Sequence, residues 1–336
     1  MACSAFITAL PATFTSPRLP NLFNSHRHVR ACAAHTPIAF VLSHFEASDL
    51  LALQPTARPQ PTIIPGPFSV DLGATSLPHI AVQHDGISTH PSEPPVATWR
   101  ELAKMSKKGR SGAYECYTDG ETVPQKIAAI SDITQRTASL YPCARNKPPT
   151  LLLGGFGMHR IKNSDPAADT RAKIQAVGEQ RLRGHVLDVC TGLGYTAIAA
   201  AQHDAVSKVT TIELDPMVVA IQRRNPWSRS LFDHGKIERL VGDACDYLKQ
   251  LGDDSFNVII HDPPAQAMAG ELYSGEFYKQ LRRVCARNAV LFHYIGDPAS
   301  QESGRLFRGV AKRLAEERFS AIKTNALAYG LTAIAT

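Results

Sequence analysis

The sequence predicts an α/β protein, a doubly wound and mostly parallel sheet of seven strands preceded by a small mixed domain rich in β structure. Three observations predict it. From about Pro166 onward, strand-like and helix-like segments alternate without a break. The strand-like segments, "NVIIH" and "AVLFHY" among them, are continuous Val, Ile and Leu runs, the composition of parallel strands covered on both faces. A glycine turn, "CTGLGY", follows the first of these strands and opens a helix, a close backbone approach at the sheet edge where such folds bind ligands.

In order, Ser164 or Asp165 caps a helix with Pro166 in its first turn, expected to run to about Gly184. Strand "HVLDVC", helix "YTAIAAAQHD", strand "VTTIEL" and helix "PMVVAIQRRN" come next. Strand "IERLVG", helix "ACDYLKQL", strand "NVIIH" and helix "SGEFYKQLRRVCA" continue the series, and "AVLFHY", helix "SGRLFRGVAKRLAEE" and a strand pair over about 319–334 complete it. Upstream, nine of the 23 prolines fall between Pro55 and Pro95, a density that excludes long helices. Phe68–Ala74 and His79–Thr89 there read as strands with a turn at Asp85-Gly86, and Thr98 caps a helix reaching Lys108. The division expected is 46–150 for the small domain and 151–336 for the large one.

Residues 1–45 contain no Asp or Glu, carry Arg18, Arg27 and Arg30, and are rich in Ser and Thr, the composition of an organelle transit peptide. Val29–Cys32 resembles a plastid processing site, so the plastid stroma is the expected destination, with the mitochondrion as the alternative. Loss of this segment lowers the net charge from +6 to +3, too weak a bias to argue for a nucleic-acid partner. No apolar run approaches the roughly 18 residues of a membrane helix. The seven cysteines form no CxxC pair, so neither a disulfide framework nor a metal site is expected.

Candidate chemistry lies at four strand ends. Asp188 precedes the turn at Gly192 and Gly194, and the helix opening at Tyr195 offers unpaired N–H groups. Gly192 to Ala197 also fits the GxGxxA of nicotinamide-binding folds. Glu213, nineteen residues after Gly194, is spaced to accept both hydroxyls of a ribose. Asp243 suits either an adenine amino group or the N-cap of the helix that follows it. The fourth end presents Asp262-Pro263-Pro264.

Together these motifs resemble the class I S-adenosylmethionine-dependent methyltransferases over about 150–336. The phrases "GMHRI", "CTGLGYTAI", "NPWSRSLF", "IIHDPPAQAMAGELYSGEFY" and "LFHYIGDP" further resemble a family of predicted archaeal methyltransferases. The resemblance implies a Rossmann-like fold and S-adenosyl-L-methionine as cofactor. It implies that Asp188 and the turn Cys190, Thr191, Gly192, Gly194 and Tyr195 hold the methionine end, Glu213 with Leu214 the ribose, and Asp243 with Ala244 the adenine. Cys190 departs from the general pattern, which has glycine there.

Asp262-Pro263-Pro264 resembles the (Asp/Asn)-Pro-Pro-(aromatic) motif of amino-group methyltransferases. A carboxylate and the Pro263 carbonyl, fixed by two rigid φ angles, can each accept an N–H of a target amine and aim its lone pair at a sulfonium methyl group. Ala265 stands where nucleobase enzymes place a stacking ring, which removes roughly 1–3 kcal/mol of base stacking and argues against a flipped base. The acceptor is a small molecule, a protein or an RNA, with His159, Arg160, Pro264, Tyr273 and His293 as candidate contacts. A rival resemblance is to spermidine synthases, which share the fold and carry an "LYSGEFY"-like helix but usually lack the strand acid seen here as Asp188; they transfer an aminopropyl group from decarboxylated S-adenosylmethionine. A nicotinamide dehydrogenase has no use for Asp-Pro-Pro, and a cofactor-binding protein without catalysis is the third class.

Overall fold

The computed structural model describes residues 37–56, 60–107 and 112–336. Its centre is a seven-stranded sheet built from β1 (Gly184–Val189), β2 (Val206–Glu213), β3 (Ile237–Val241), β4 (Phe256–His261), β5 (Cys285–Tyr294), β6 (Phe319–Asn325) and β7 (Gly330–Ala335). The spatial order is β3-β2-β1-β4-β5-β7-β6. The first five strands are parallel, and β7 runs antiparallel to both β5 and β6. The order reverses at β1, so the crevice of a doubly wound sheet lies at the carboxyl ends of β1 and β4. The register places Asp188 beside Thr211 on one side and Ile260 on the other, and His261 beside His293.

Helices α1 (Pro166–Val177), α2 (Tyr195–Ala201), α3 (Pro216–Arg224), α4 (Ala244–Gln250), α5 (Gly275–Val284) and α6 (Gln301–Glu316) cover the faces. Asp165, Asp215, Asp243 and Ser274 cap α1, α3, α4 and α5 through their side chains, Asp165 and Asp243 being caps that the sequence offered. Alternate residues of the strands feed two cores. Leu187, Ile259 and Leu291 pack against Phe277, Tyr278 and Leu281 of α5, whereas Val186, Val258, Ile260 and Phe292 pack toward Val177 and the alanines of α2.

Boundaries differ from expectation at several element ends. Helix α1 stops at Val177 rather than near Gly184, because Gly178 leaves the helical region at φ +90° while its N–H still reaches the Ile174 carbonyl. The strand expected to reach Ala74 ends at Val70, since Asp71 and Leu72 take positive φ in a short 3-10 turn. The helix expected to reach Lys108 ends at Met105.

The amino-terminal portion holds three small antiparallel sheets. One of them begins with the strand Ile38–Ser43, paired with Ala113–Tyr117 and followed by the helix His44–Leu51 with its Ser43/Glu46 capping box. Residues 38–45 are therefore core-forming, with Phe40 and Leu42 buried, which takes them out of the leader expected over 1–45. The remainder of that leader lies outside the described residues. Across the expected boundary between 46–150 and 151–336, Leu140 and Leu151 share a buried cluster with Leu193, Tyr195, Val218 and Ile221, and the described residues form one compact unit. Each large apolar side chain in that seam contributes about 1.5–3 kcal/mol. The small sheets thereby brace the glycine turn from behind.

Candidate functional site

The turn after β1 is wound through left-handed backbone at Cys190 (φ +70°), Gly192 (φ +54°) and Gly194 (φ +79°). A Cβ on Gly194 would stand 2.7 Å from Leu231, whereas one on Gly192 would meet nothing within 4 Å. Gly194 is thus required by packing, and Gly192 faces open space. The segment "NPWSRSLF" locks this turn from below. Asn225 donates to the Tyr195 hydroxyl (3.0 Å) and to Ser228 (2.8 Å), Ser228 donates to the Leu193 carbonyl (2.7 Å), and Tyr195 donates to the Pro149 carbonyl (2.9 Å). Tyr195 is therefore a brace, with its hydroxyl turned away from the crevice.

Asp188 is fully buried, and both of its oxygens are taken. Thr196 donates to one at 2.7 Å and Thr211 to the other at 2.6 Å, with Thr191 and Thr211 a further 2.6 Å apart. Burial pushes the carboxyl up to about 6 against the pull of these two hydroxyls. The expected reach of Asp188 to the methionine end of a ligand is not available in this arrangement, because no surface of the side chain opens to the crevice. It organises the turn instead.

Glu213, half-buried at the tip of β2, accepts from the Gly192 N–H (2.9 Å) and the Asp215 N–H (3.0 Å), and Gln222 donates to the Gly192 carbonyl (2.6 Å). Burial pushes its carboxyl up to about 7, with the two backbone donors opposing. Thr191, Glu213, Gln222, Leu240 and Val241 line a narrow cleft here. Leu214, next to Glu213 in the chain, and Val241, the register partner of Glu213 on β3, keep 46% and 40% of their surface exposed, an apolar pair beside an acid. Asp243 is exposed and caps α4 through the Cys245 N–H at 2.7 Å.

The end of β4 carries the densest charge. Asp262 keeps 19% of its side chain exposed and accepts from the Lys173 ammonium at 2.5 Å; Lys173, at 2% exposure, also binds Asp169 at 2.9 Å. Arg160 closes the far side of Asp169 and lies 4.3 Å from the ring centre of Tyr329, while Lys173 lies 4.9 Å from that of Tyr294. Burial lowers the proton affinity of Lys173, but Asp262 and Asp169 outweigh it and hold the ammonium above its usual range. Burial raises the Asp262 carboxyl and Lys173 opposes the rise, leaving it above the ordinary carboxylate range.

The sequence pointed to Asp262 and Arg160 but missed Lys173 and Asp169, which join them. A signal existed: Pro166, Asp169, Thr170, Lys173 and Val177 form the inward stripe of α1, so two charged residues sit at helical spacing on the buried face.

Other candidates face inward. The Tyr273 hydroxyl donates to the Pro264 carbonyl at 2.9 Å, which occupies that acceptor, and Pro263 is buried. His293 is fully buried, 3.0 Å from the Tyr278 hydroxyl and with its ring centre 4.4 Å from that of the tilted His261 ring, so it is not brought to the crevice. His159 is held by Thr150 at 3.0 Å, and burial, with Lys173 adding to it, pushes its imidazole down to about 3, so it is neutral. Among the described residues no group of three or more His, Cys, Asp or Glu is placed to hold a metal ion.

Residues 149–315 match the model of the spermine/spermidine synthase domain. An uncharacterised protein of Methanocaldococcus jannaschii is 44% identical over 188 residues, 56% of this chain and 64% of that protein. A polyamine aminopropyltransferase of Sulfolobus acidocaldarius is 28% identical over 120 residues, 34% of this chain and 39% of the other. The chain thus spans less than two thirds of the length of these relatives. A crystal structure of a spermidine synthase bound to the transition-state analogue AdoDATO superposes with a TM-score of 0.50 at 19% identity, over 66% of this chain and 78% of that one. Residues 149–315 are therefore spermidine synthase-like, with the Rossmann-like fold common to that group and to the class I methyltransferases.

Proposed function

We propose that the chain is a transferase that moves an aminopropyl group from decarboxylated S-adenosylmethionine to an amine. The observation that carries this reading is Asp262, an acid held by a buried lysine at the tip of β4, inside the stretch that matches the spermine/spermidine synthase domain. Two further features support it. Asp188, the residue that favoured an intact methionine over its decarboxylated counterpart, is sealed by Thr196 and Thr211 and so does not discriminate between them. The cations described around Asp262, Lys173 and Arg160, are already paired with carboxylates, which leaves the donor's propylammonium better matched there than a methionine carboxylate.

In this reading the nucleoside lies over Gly192 with its ribose hydroxyls on Glu213 and its base between Leu214 and Val241. The acceptor arrives as an ammonium ion, and Asp262 takes one proton from it. The freed nitrogen lone pair forms the new N–C bond as the C–S bond breaks. That bonding pair returns to sulfur and leaves a neutral thioether, so no anion needs a dedicated hole and the work of the site is aim and water exclusion. An acid above the ordinary carboxylate range is suited to the proton step.

A second reading, methyl transfer from intact S-adenosylmethionine, is favoured by the Asp262-Pro263-Pro264 sequence itself. The test separates the two. The purified chain is offered each donor with a panel of di- and polyamines, and the nucleoside by-product is identified by mass spectrometry. Methylthioadenosine with an aminopropylated amine establishes the first reading, S-adenosylhomocysteine with a methylated product the second, and neither by-product with any amine rejects both.

We further infer that the segment before residue 37 directs the chain to the plastid, on the strength of its Arg-, Ser- and Ala-rich, acid-free composition. A fluorescent fusion of residues 1–36 that stays in the cytosol counts against this.

A further inference from the structure

Four charged side chains in consecutive contact alternate in sign: Arg160, Asp169, Lys173 and Asp262. The two inner members are nearly sealed, with side-chain exposures of 1% for Asp169 and 2% for Lys173. A lysine this deep costs several kcal/mol to desolvate and rarely adds stability over an apolar side chain of the same volume. An apolar residue at 173 would complete the core between α1 and β5 more cheaply. The presence of the lysine asks for a purpose, and of the four charges it is the two ends, Arg160 and Asp262, that keep exposed surface, 19% each.

We propose that Lys173 is a positioning residue whose buried ammonium, shared between Asp169 and Asp262, fixes both the aim and the charge of the Asp262 carboxylate toward an incoming amine. This rests on the transferase reading above and adds a residue to it. One Asp262 oxygen is tied to Lys173 at 2.5 Å, so the carboxyl cannot rotate freely. Its remaining acceptor capacity is what an amine would meet. Asp169 anchors the ammonium from the opposite side, and Arg160, stacked on Tyr329, keeps Asp169 from drawing Lys173 away. An ammonium acceptor entering beside Asp262 would extend the alternation by one more positive charge.

The groups that bear on Asp262 come from every neighbouring element. Lys173 and Asp169 stand on α1, Arg160 on the segment before it, and Asp188 on β1. Cys190 of the glycine turn, Tyr273 before α5 and Tyr294 at the end of β5 complete them. Lys173 alone among them is a cation in direct contact, so removing it raises the proton affinity of Asp262.

The experiment compares wild type with Lys173→Met and with the charge-balanced pair Asp169→Asn/Lys173→Met, which removes one buried charge of each sign. The pH dependence of kcat/KM for transfer to the amine is measured alongside thermal stability and donor affinity. Expected are donor affinity within about threefold of wild type in both variants, a fall in kcat of at least tenfold, and an acid limb moved up by roughly one to three pH. The paired variant should regain stability but keep the displaced limb. If it regains the wild-type pH profile together with its stability, Lys173 is only structural and the proposal is overturned. Should wild type transfer no group from either donor, the transferase reading fails on its own. The positioning claim is then decided by carbon-detected NMR titration of the Asp262 carboxyl: a midpoint higher in the paired variant supports it, and an unmoved midpoint overturns it.

Discussion

Asp188 and Asp262 stand at the tips of adjacent strands, β1 and β4, and are both withdrawn from water, yet they are compensated in different ways. Asp188 is closed by two neutral hydroxyls and has no surface left; Asp262 is held by an ammonium and keeps a window of 19%. Hydroxyls satisfy a carboxylate's lone pairs without cancelling its charge, so burial still dominates and the acid rises to about 6. An ammonium cancels the charge and costs a desolvated cation, which is worth bearing only where the acid must stay reactive while partly exposed. The first arrangement shapes backbone, and the second presents chemistry. Two acids a strand apart, alike in the sequence, therefore divide between scaffold and site.

The strongest way to break this division is to remove each acid. Asp262→Ala should lower kcat by roughly a hundredfold or more, the scale of a lost acid–base group, with a much smaller loss of donor affinity measured by calorimetry. Retained turnover would take Asp262 out of the reaction. Asp188→Asn should leave the chemistry in place and act on stability, with a sign that can be worked out. The Asp188 carboxyl is raised in the fold, so between its ordinary range and about 6 the native state binds more protons than the unfolded chain, and stability falls as pH rises through that window. The loss for wild type is on the order of 3 kcal/mol. Asn carries no such charge, so the difference in melting temperature between variant and wild type should move in favour of the variant from about pH 4 to about pH 6 and then level off. A flat difference would show that Asp188 is not the buried acid described here.

Glu213 offers an intermediate case, half-open like Asp262 and raised to about 7 by burial like Asp188. If its ionised form receives the ribose hydroxyls, donor affinity should weaken as pH drops below about 7. Glu213→Gln should weaken it roughly tenfold at neutral pH and abolish that dependence, since a charged hydrogen bond contributes about 1.5–3 kcal/mol. Calorimetric titrations across the range check both statements.

Much of this arrangement was legible before any coordinates. Continuous apolar strands, side-chain caps and the Gly192-x-Gly194 turn dictated the sheet and its edge, because these are local rules that each segment obeys by itself. The pairing of β7 between β5 and β6 closes a sheet whose five parallel strands were readable one by one. What escaped was non-local. Lys173 is separated by 89 residues from Asp262, and nothing in "DTRAKIQ" marks its lysine as buried except its place on the inward stripe of α1. The strand Ile38–Ser43 was hidden by the acid-free composition of the residues before it, and its partner Ala113–Tyr117 lies far along the chain. The sealing of Asp188 depends on Thr211 from the neighbouring strand, a register contact that no single segment reveals.

That register contact gives the finest test of the comparison. Thr211→Val keeps the shape of the side chain and removes the hydroxyl that donates to Asp188 at 2.6 Å and meets Thr191 at the same distance. An ionised carboxylate left with one donor is penalised more than a protonated one. The variant should therefore lose about 1–2 kcal/mol of stability at about pH 7.5 and distinctly less at about pH 5, below the value to which burial has raised Asp188. Denaturant midpoints at the two pH values measure the difference. Equal losses would mean that the Thr211 hydroxyl packs against Asp188 without answering its charge, and the contrast between an acid closed by hydroxyls and one held by a lysine would then reduce to the lysine alone.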